Sequence, residues 1–198
     1  MYAHTQSSVF GYGWTHNWDI NLDVKDSGDL VLNIAGLSIT FQPDYRGGYQ
    51  CTAGDGYALT KNRNGSYTMK VGKGAGDVVY DFTKQGTLTK VTDANGNSIT
   101  CSYNESGLLA KLTHSNGEWI AYEYTVDGYV AKLTSSTGAV TEYSYENGNL
   151  VSSTGLLGDT INYSYSDVYE HFLTAITGTT GNQQHFSYGN NGLLEKNW

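Results

Sequence analysis

The feature that most constrains this chain is an internal repeat of 20 or 21 residues. Gly86, Gly107, Gly128 and Gly148 each open a segment, at spacings of 21, 21 and 20. Every segment runs from Gly through a short apolar stretch and a polar turn to an alternating stretch that ends in Tyr. A fifth copy begins near His171 after a short insertion. A sixth opens at Gly192 and reaches Trp198 partway through its first strand, and an upstream partial copy carries Tyr80 and Phe82 in its aromatic slots. Self-similarity at a fixed period marks an architecture in which each unit buries its apolar face only by stacking on its neighbours. The chain is therefore expected to be a piece of a longer array.

The second half of each repeat alternates. Ile99, Cys101 and Tyr103 are interleaved with Thr100 and Ser102; the matching sets are Ile120, Tyr122 and Tyr124, then Thr141, Tyr143 and Tyr145, then Ile161, Tyr163 and Tyr165. Period two gives a strand with one buried and one wet face, the wet face carrying Glu123, Glu142, Asn162 and His185. The first strand is less regular, because Leu88 and Val91, Leu109 and Leu112, and Val130 and Leu133 are three apart. Residues three apart lie on opposite faces of a flat strand unless a bulge or strong twist intervenes, and the sequence leaves that choice open. Asn95-Gly96 and Asn116-Gly117 sit between the two strands of their repeats. Asn-Gly between alternating runs is the strongest short hairpin signal, since both residues tolerate positive φ.

Every connection is too short for a parallel crossover, so the array is an antiparallel meander with one hairpin per repeat. The fold class is all-β: antiparallel β-hairpin repeats forming a curved sheet, an open segment of a β-solenoid shell. Residues 1–64 read as a β-rich, cap-like pre-repeat segment and 65–198 as the hairpin array. In register, Tyr103, Tyr124, Tyr145, Tyr165 and Tyr188 form one column and Cys101, Tyr122, Tyr143, Tyr163 and Phe186 the next. Composition agrees with this reading. Twenty-five Gly are too many for a mostly helical chain. Val, Ile, Leu and Phe total only 40, so the 17 Tyr and four Trp must supply much of the burial.

The pattern Gly-x-Leu-x-x-Val/Leu-Thr, then Asn-Gly, then Tyr-x-Tyr-Asn-x-x-Gly resembles the Rhs repeat, also called the YD repeat. Tyr103-Asn104, Tyr124-Thr125, Tyr145-Glu146 and Tyr165-Ser166 stand where that family has Tyr-Asp, and the Arg that often follows the repeat Gly is absent. Gly11-Tyr12-Gly13-Trp14-Thr15-His16-Asn17-Trp18 resembles the Gly-x-Gly-Trp-x-x-Asn segment that precedes the repeats. The resemblance implies a large, secreted or surface-exposed protein whose repeats wind into a hollow β-shell. Such a shell encloses a C-terminal toxin domain in bacterial toxins and supports adhesion in teneurins. It implies further repeats and a C-terminal domain as partners, whereas the family's aspartate-containing self-cleavage segment has no counterpart in this sequence. Met1-Tyr2-Ala3-His4-Thr5 lacks the basic start and apolar run of a signal peptide.

A net charge of −8 with 11 Lys and Arg leaves no electrostatic footprint for nucleic acid. No run approaches the length of a membrane-spanning helix, so membrane insertion is not expected. No metal-ligand spacing, phosphate-binding loop or nucleophile elbow is present, and no catalytic residue, metal or cofactor is expected. His4, His16, His114, His171 and His185 share no ligand spacing. His114 and His171 read as turn residues and His185 as part of a wet face. Glu123 and Glu142 are a carboxylate pair on adjacent second strands in different slots, with neighbours that build no pocket. Asp23, Asp26 and Asp29 with Gly28 faintly resemble a calcium loop but fit a hairpin turn better. Cys51 and Cys101 read as two buried thiols, with a bridge as the alternative. Trp14 and Trp18, four apart, would share a strand face and could stack a sugar ring, as could Trp119; the competing reading is that they close the β-core. Binding of a glycan or cell-surface protein through exposed Trp and Tyr is the second functional reading. The array's last strand presents an open edge that invites self-association.

Overall fold

A computed structural model describes residues 6–54, 56–72, 76–189 and 192–197, and all regular structure among them is β. The chain opens with β1 (Ser7–Ser8) and β2 (Gly11–Tyr12), then β3 (Ile20–Val24), β4 (Leu30–Ile34), β5 (Leu37–Pro43) and β6 (Tyr49–Cys51). It continues through β7 (Tyr57–Lys61), β8 (Tyr67–Val71), β9 (Val78–Phe82), β10 (Leu88–Thr92), β11 (Ser98–Tyr103) and β12 (Leu109–His114). It ends with β13 (Trp119–Tyr124), β14 (Val130–Ser135), β15 (Val140–Glu146), β16 (Asn149–Thr154), β17 (Thr160–Tyr165), β18 (Leu173–Thr177), β19 (Gln183–Tyr188) and β20 (Leu194–Asn197).

Two compact units result: His16–Trp119, and Met1–Thr15 with Ile120–Trp198. Each therefore holds some pre-repeat sequence and some repeats. In the first unit β3–β6 form a four-stranded meander and β7–β12 pair in sequence order. Leu22, Leu30, Leu32, Phe41, Met69, Phe82 and Leu88 make its core. β3 meets the repeats through the Leu22 amide, which donates to the Gly86 carbonyl at 2.9 Å, and through a bridge between Asn21 and Thr87. In the second unit β13–β20 also pair in sequence order, beside the small β1–β2 hairpin. Neither run closes on itself, and every pair is antiparallel, as the repeat requires.

The irregular first strand of each repeat contains a β-bulge. Tyr103 faces Leu109 while Ser102 faces Lys111, leaving Ala110 unmatched. The same slip leaves Thr89, Ala131, Val151, Thr174 and Glu195 unmatched in their strands. One extra residue shifts the side-chain alternation by one. That turns a spacing of three into a same-face pair, which is why Leu88 and Val91 can both serve the tyrosine face. Cys101 is buried, Cys51 is half-buried, and both are free thiols.

The repeat glycines all take left-handed φ, between 73° and 89°. Their surroundings differ. A Cβ at Gly107 or Gly128 would meet nothing within 4 Å, whereas one at Gly86 would overlap the Leu22 carbonyl and one at Gly148 would strike the Tyr12 ring at 2.8 Å. His171 fills the glycine slot of the fifth copy at φ 65°, a conformation uncommon for a residue with a Cβ. Gly107→Ala should cost only the left-handed penalty of about 1–2 kcal/mol. Gly86→Ala should cost clearly more, because β3 must move away from the turn. Urea midpoints of the two variants compare them directly, and equal shifts would refute the docking role given to Gly86.

Candidate functional site

The repeat tyrosines do a specific job. Between β10 and β11 the ladder runs only from Thr92–Ser98 to Lys90–Thr100 and stops short of Leu88. The Tyr103 hydroxyl donates to the Leu88 carbonyl at 2.8 Å. Tyr145 donates to Val130, Tyr165 to Leu150 and Tyr188 to Leu173, each at 2.9 Å. Leu88, Val130, Leu150 and Leu173 are the buried residues just before the bulges, between 0% and 6% exposed. A buried carbonyl without a partner is costly, so the phenol supplies the hydrogen bond that the neighbouring strand fails to make. Two hook rings are packed from the residue after the repeat glycine position: Tyr129 stacks on Tyr145 at 4.9 Å, and Phe172 meets Tyr188 edge-on at 4.8 Å. Tyr124, the remaining member of the column, is half-buried.

Burial pushes the Tyr124 phenol up to about 12. It does the same to Tyr165, where the Trp14 hydrogen bond partly opposes it, again to about 12. Tyr145 is raised by burial first and then by the nearby phenols of Tyr143, Tyr129 and Tyr165. Burial also lifts the Cys101 thiol to about 11, so it stays protonated and unreactive at neutral pH.

The second unit carries a strap across this face. The Val130 amide donates to the Val9 carbonyl at 2.8 Å, and the Tyr12 amide donates to the Gly148 carbonyl at 3.0 Å. Phe10 sits edge-on to Tyr143 at 5.2 Å, and Tyr12 stacks on His171 at 3.6 Å. Trp14 lies edge-on to Tyr163, and its Nε1 donates to the Tyr165 hydroxyl at 2.8 Å. Tyr165 thus accepts from the strap while donating to Leu150. His171 Nδ1 also contacts Asn149 Oδ1 at 2.8 Å.

The other sequence candidates fall as follows. Residues 13–19 form turns and irregular backbone instead of a strand, so Trp14 and Trp18 do not share a strand face. A turn closed by the Asp19 amide, which donates to the His16 carbonyl at 3.1 Å, breaks the extended run that their spacing assumed. Trp14 belongs to the strap, Trp18 is half-buried in the first unit, and Trp119 is half-buried with Lys111 Nζ 4.6 Å from its ring centroid. Glu123 and Glu142 hold different slots of their repeats, yet both face Lys132, from either side in the ladder. The sequence comparison missed this, since the bulge at Ala131 shifts the register. Glu123 reaches the Lys132 ammonium at 3.7 Å, a largely exposed ion pair.

Asp23 pairs with Lys25 at 3.0 Å, and Asp29 accepts from Ser27, as a hairpin turn provides. Among the described residues no group of three or more His, Cys, Asp or Glu could hold a metal. His114 ends β12 instead of lying in the turn, and its Nδ1 accepts from the Asn116 amide. His16 is held below its usual range by burial, against the opposing pull of Asp19. His185 Nε2 contacts Gln183 on a half-buried strand position, and His4 lies outside the described residues. Sequence reasoning overlooked Phe10, Tyr12 and His171. The signal was available in the aromatic alternation Phe10, Tyr12, Trp14 and in a histidine standing at a glycine position.

Tyr145→Phe should cost about 1–3 kcal/mol, the price of a buried unsatisfied carbonyl. Tyr143→Phe, whose hydroxyl makes no hydrogen bond among the described residues, should be near neutral; denaturant midpoints separate the two. The buried phenols also predict alkaline lability. An unfolded Tyr ionises near 10, whereas folded Tyr124 and Tyr165 hold their protons to about 12. Their contribution is full below pH 10 and is lost as pH rises toward 12. Loss of β-signal over that window should coincide with growth of phenolate absorbance. Phenolate growth with the fold intact would contradict the assignment.

The teneurin YD-shell family matches residues 55–154. No curated protein matches it in sequence. Among solved structures it is similar to the crystal structure of TcdB2-TccC3-Cdc42, with 14% identity and a TM-score of 0.47, covering 87% of this chain and 12% of that one. TcdB2-TccC3 without its hypervariable C-terminal region gives 14%, 0.48, 87% and 12%. The Tc holotoxin pore of Photorhabdus luminescens gives 15%, 0.49, 84% and 11%. The chain spans only 11–12% of the length of these solved chains. The family match covers just over half of the 198 residues and includes the hairpins hooked by Tyr103 and Tyr145, and the chain belongs to the teneurin YD-shell family.

Proposed function

We propose that this chain is a non-catalytic wall segment of a β-shell, secreted or displayed at a cell surface, which encloses or presents another domain of the protein it belongs to. The observation that carries this reading is that the recurrent polar side chains of the repeats are used to hold the wall itself. Tyr103, Tyr145, Tyr165 and Tyr188 each bind the neighbouring strand of their own hairpin, and Trp14 is bonded to Tyr165. Lys132 lies between two carboxylates.

Further repeats are the natural neighbours of β20. Leu194 is 52% exposed, while Leu173, Leu150 and Val130 at the same repeat position are buried. An open edge strand of this kind takes up another strand, either the next hairpin or the edge of a second copy.

Electron cryo-microscopy of the full-length protein containing this chain should place residues 57–197 in the wall around an enclosed density. A separate lobe outside any shell would refute the proposal, as would polysaccharide turnover by the chain. Saturable glycan binding abolished by Trp14→Ala would favour an adhesion module instead. The chain alone should self-associate with concentration in light scattering, and Lys196→Pro should suppress it. A strict monomer with β20 ordered would remove the edge from the argument.

A further inference from the structure

Asn-Gly sequences are chemically labile. The glycine amide nitrogen can attack the asparagine Cγ, and which pairs react depends on what already holds the two groups. Four such pairs lie wholly within the described residues: Asn64-Gly65, Asn95-Gly96, Asn116-Gly117 and Asn147-Gly148. In the first three the glycine amide is committed. Gly65 donates to Asn62, Gly96 to Asp93 and Gly117 to His114, at 2.9, 3.1 and 2.9 Å. Two of the asparagine side chains are committed as well. Asn64 Oδ1 accepts from Ser66, and Asn116 accepts from the Glu118 amide while its Nδ2 donates to the Glu118 carboxylate.

Asn147-Gly148 is different. It is a two-residue turn between β15 and β16, with φ of 50° and 77°, the left-handed pair that such hairpins demand. In that turn the second residue's amide points away from the ladder. Among the described residues neither the Gly148 N–H nor the Asn147 side chain makes a hydrogen bond, and Asn147 is exposed. Both reacting groups are therefore unoccupied at this one pair.

We infer that Asn147-Gly148 is a site of spontaneous succinimide formation, and that its conversion releases the strap. Gly148 N forms a bond to Asn147 Cγ. The bond from Cγ to the side-chain nitrogen breaks, and ammonia leaves with the proton that the glycine nitrogen gives up. Water then opens the ring at one of its two carbonyls, leaving aspartate or isoaspartate at position 147. Isoaspartate adds a methylene to the main chain of a two-residue turn. That turn supplies the Gly148 carbonyl to the Tyr12 amide at 3.0 Å, and Gly11 approaches the same oxygen so closely that its Cβ would lie 2.6 Å away. A lengthened turn cannot keep both contacts. The enzyme class that recognises the product is an isoaspartyl methyltransferase.

The test is to hold the whole chain at mildly alkaline pH and follow each Asn-Gly pair by peptide mapping, with methyltransferase labelling for isoaspartate. Position 147 should convert severalfold faster than 64, 95 or 116, and faster as pH rises, because the attacking nitrogen must be deprotonated. Asn147→Gly, which suits the turn and removes the electrophile, should abolish labelling there while the fold is kept. In converted material the Tyr12 amide should exchange with deuterium severalfold faster than in fresh protein. Conversion at 95 or 116 as fast as at 147, or no conversion at all, would overturn the site assignment. Conversion with Tyr12 protection unchanged would overturn its link to the strap.

Discussion

The structure depends on one hydrogen bond, from a tyrosine hydroxyl to the carbonyl of a buried residue fifteen positions earlier. Two kinds of strand interface alternate around it. Within a repeat, β10–β11, β14–β15, β16–β17 and β18–β19 share short ladders near the turn and then part. Between repeats, β11–β12, β13–β14, β15–β16 and β17–β18 share longer ladders that contain a bulge. The bulge twists its strand away from its hairpin partner and strands a carbonyl at the mouth. A phenol is long enough to span that opening and is apolar everywhere except at its tip. This explains why the repeat specifies Tyr in that slot and why Phe would not serve.

The strap answers a second problem. A single antiparallel sheet has two faces, and the tyrosine face is only half-buried by its own hairpins. Phe10 and Trp14 cover part of it by meeting Tyr143 and Tyr163, the same slot of the third and fourth copies, while Tyr12 meets His171 at the start of the fifth. His171 shows what that contact is worth to the fold. A left-handed histidine is strained by about 1–2 kcal/mol, and the stack on Tyr12 with the contact to Asn149 offsets that strain.

The repeat period, the antiparallel hairpins and the tyrosine column were legible because they rest on local chemistry: Gly at left-handed turns, Asn-Gly between strands, alternation of period two. The bulges were half-legible. Leu88 and Val91 at a spacing of three demanded a bulge or a twist, but either would satisfy the burial pattern. The row that joins Glu123, Lys132 and Glu142 was hidden for the same reason, since one unmatched residue at Ala131 moves every later partner by one. The strap was hidden for another reason. Its contacts, such as Trp14 with Tyr165, span 151 residues, and nothing in a periodic pattern encodes which distant strand a non-repeating segment will cross.

A wall built this way distributes its stability as a chain of neighbour terms instead of one centre. Among the described repeats each hairpin contributes between one and three buried residues, such as Leu112, Val130 or Leu150, which is little for a unit that must order about twenty residues. Loss of one hook therefore does not stay local. A hairpin that opens at its mouth exposes the buried leucine beside the bulge, and that leucine is also part of the packing for the next repeat. Sites where a second segment clamps the array, at Gly86 by β3 and at Gly148 by the strap, stop such opening from spreading. At both of these turns glycine is required by a neighbouring backbone or ring as well as by its own φ.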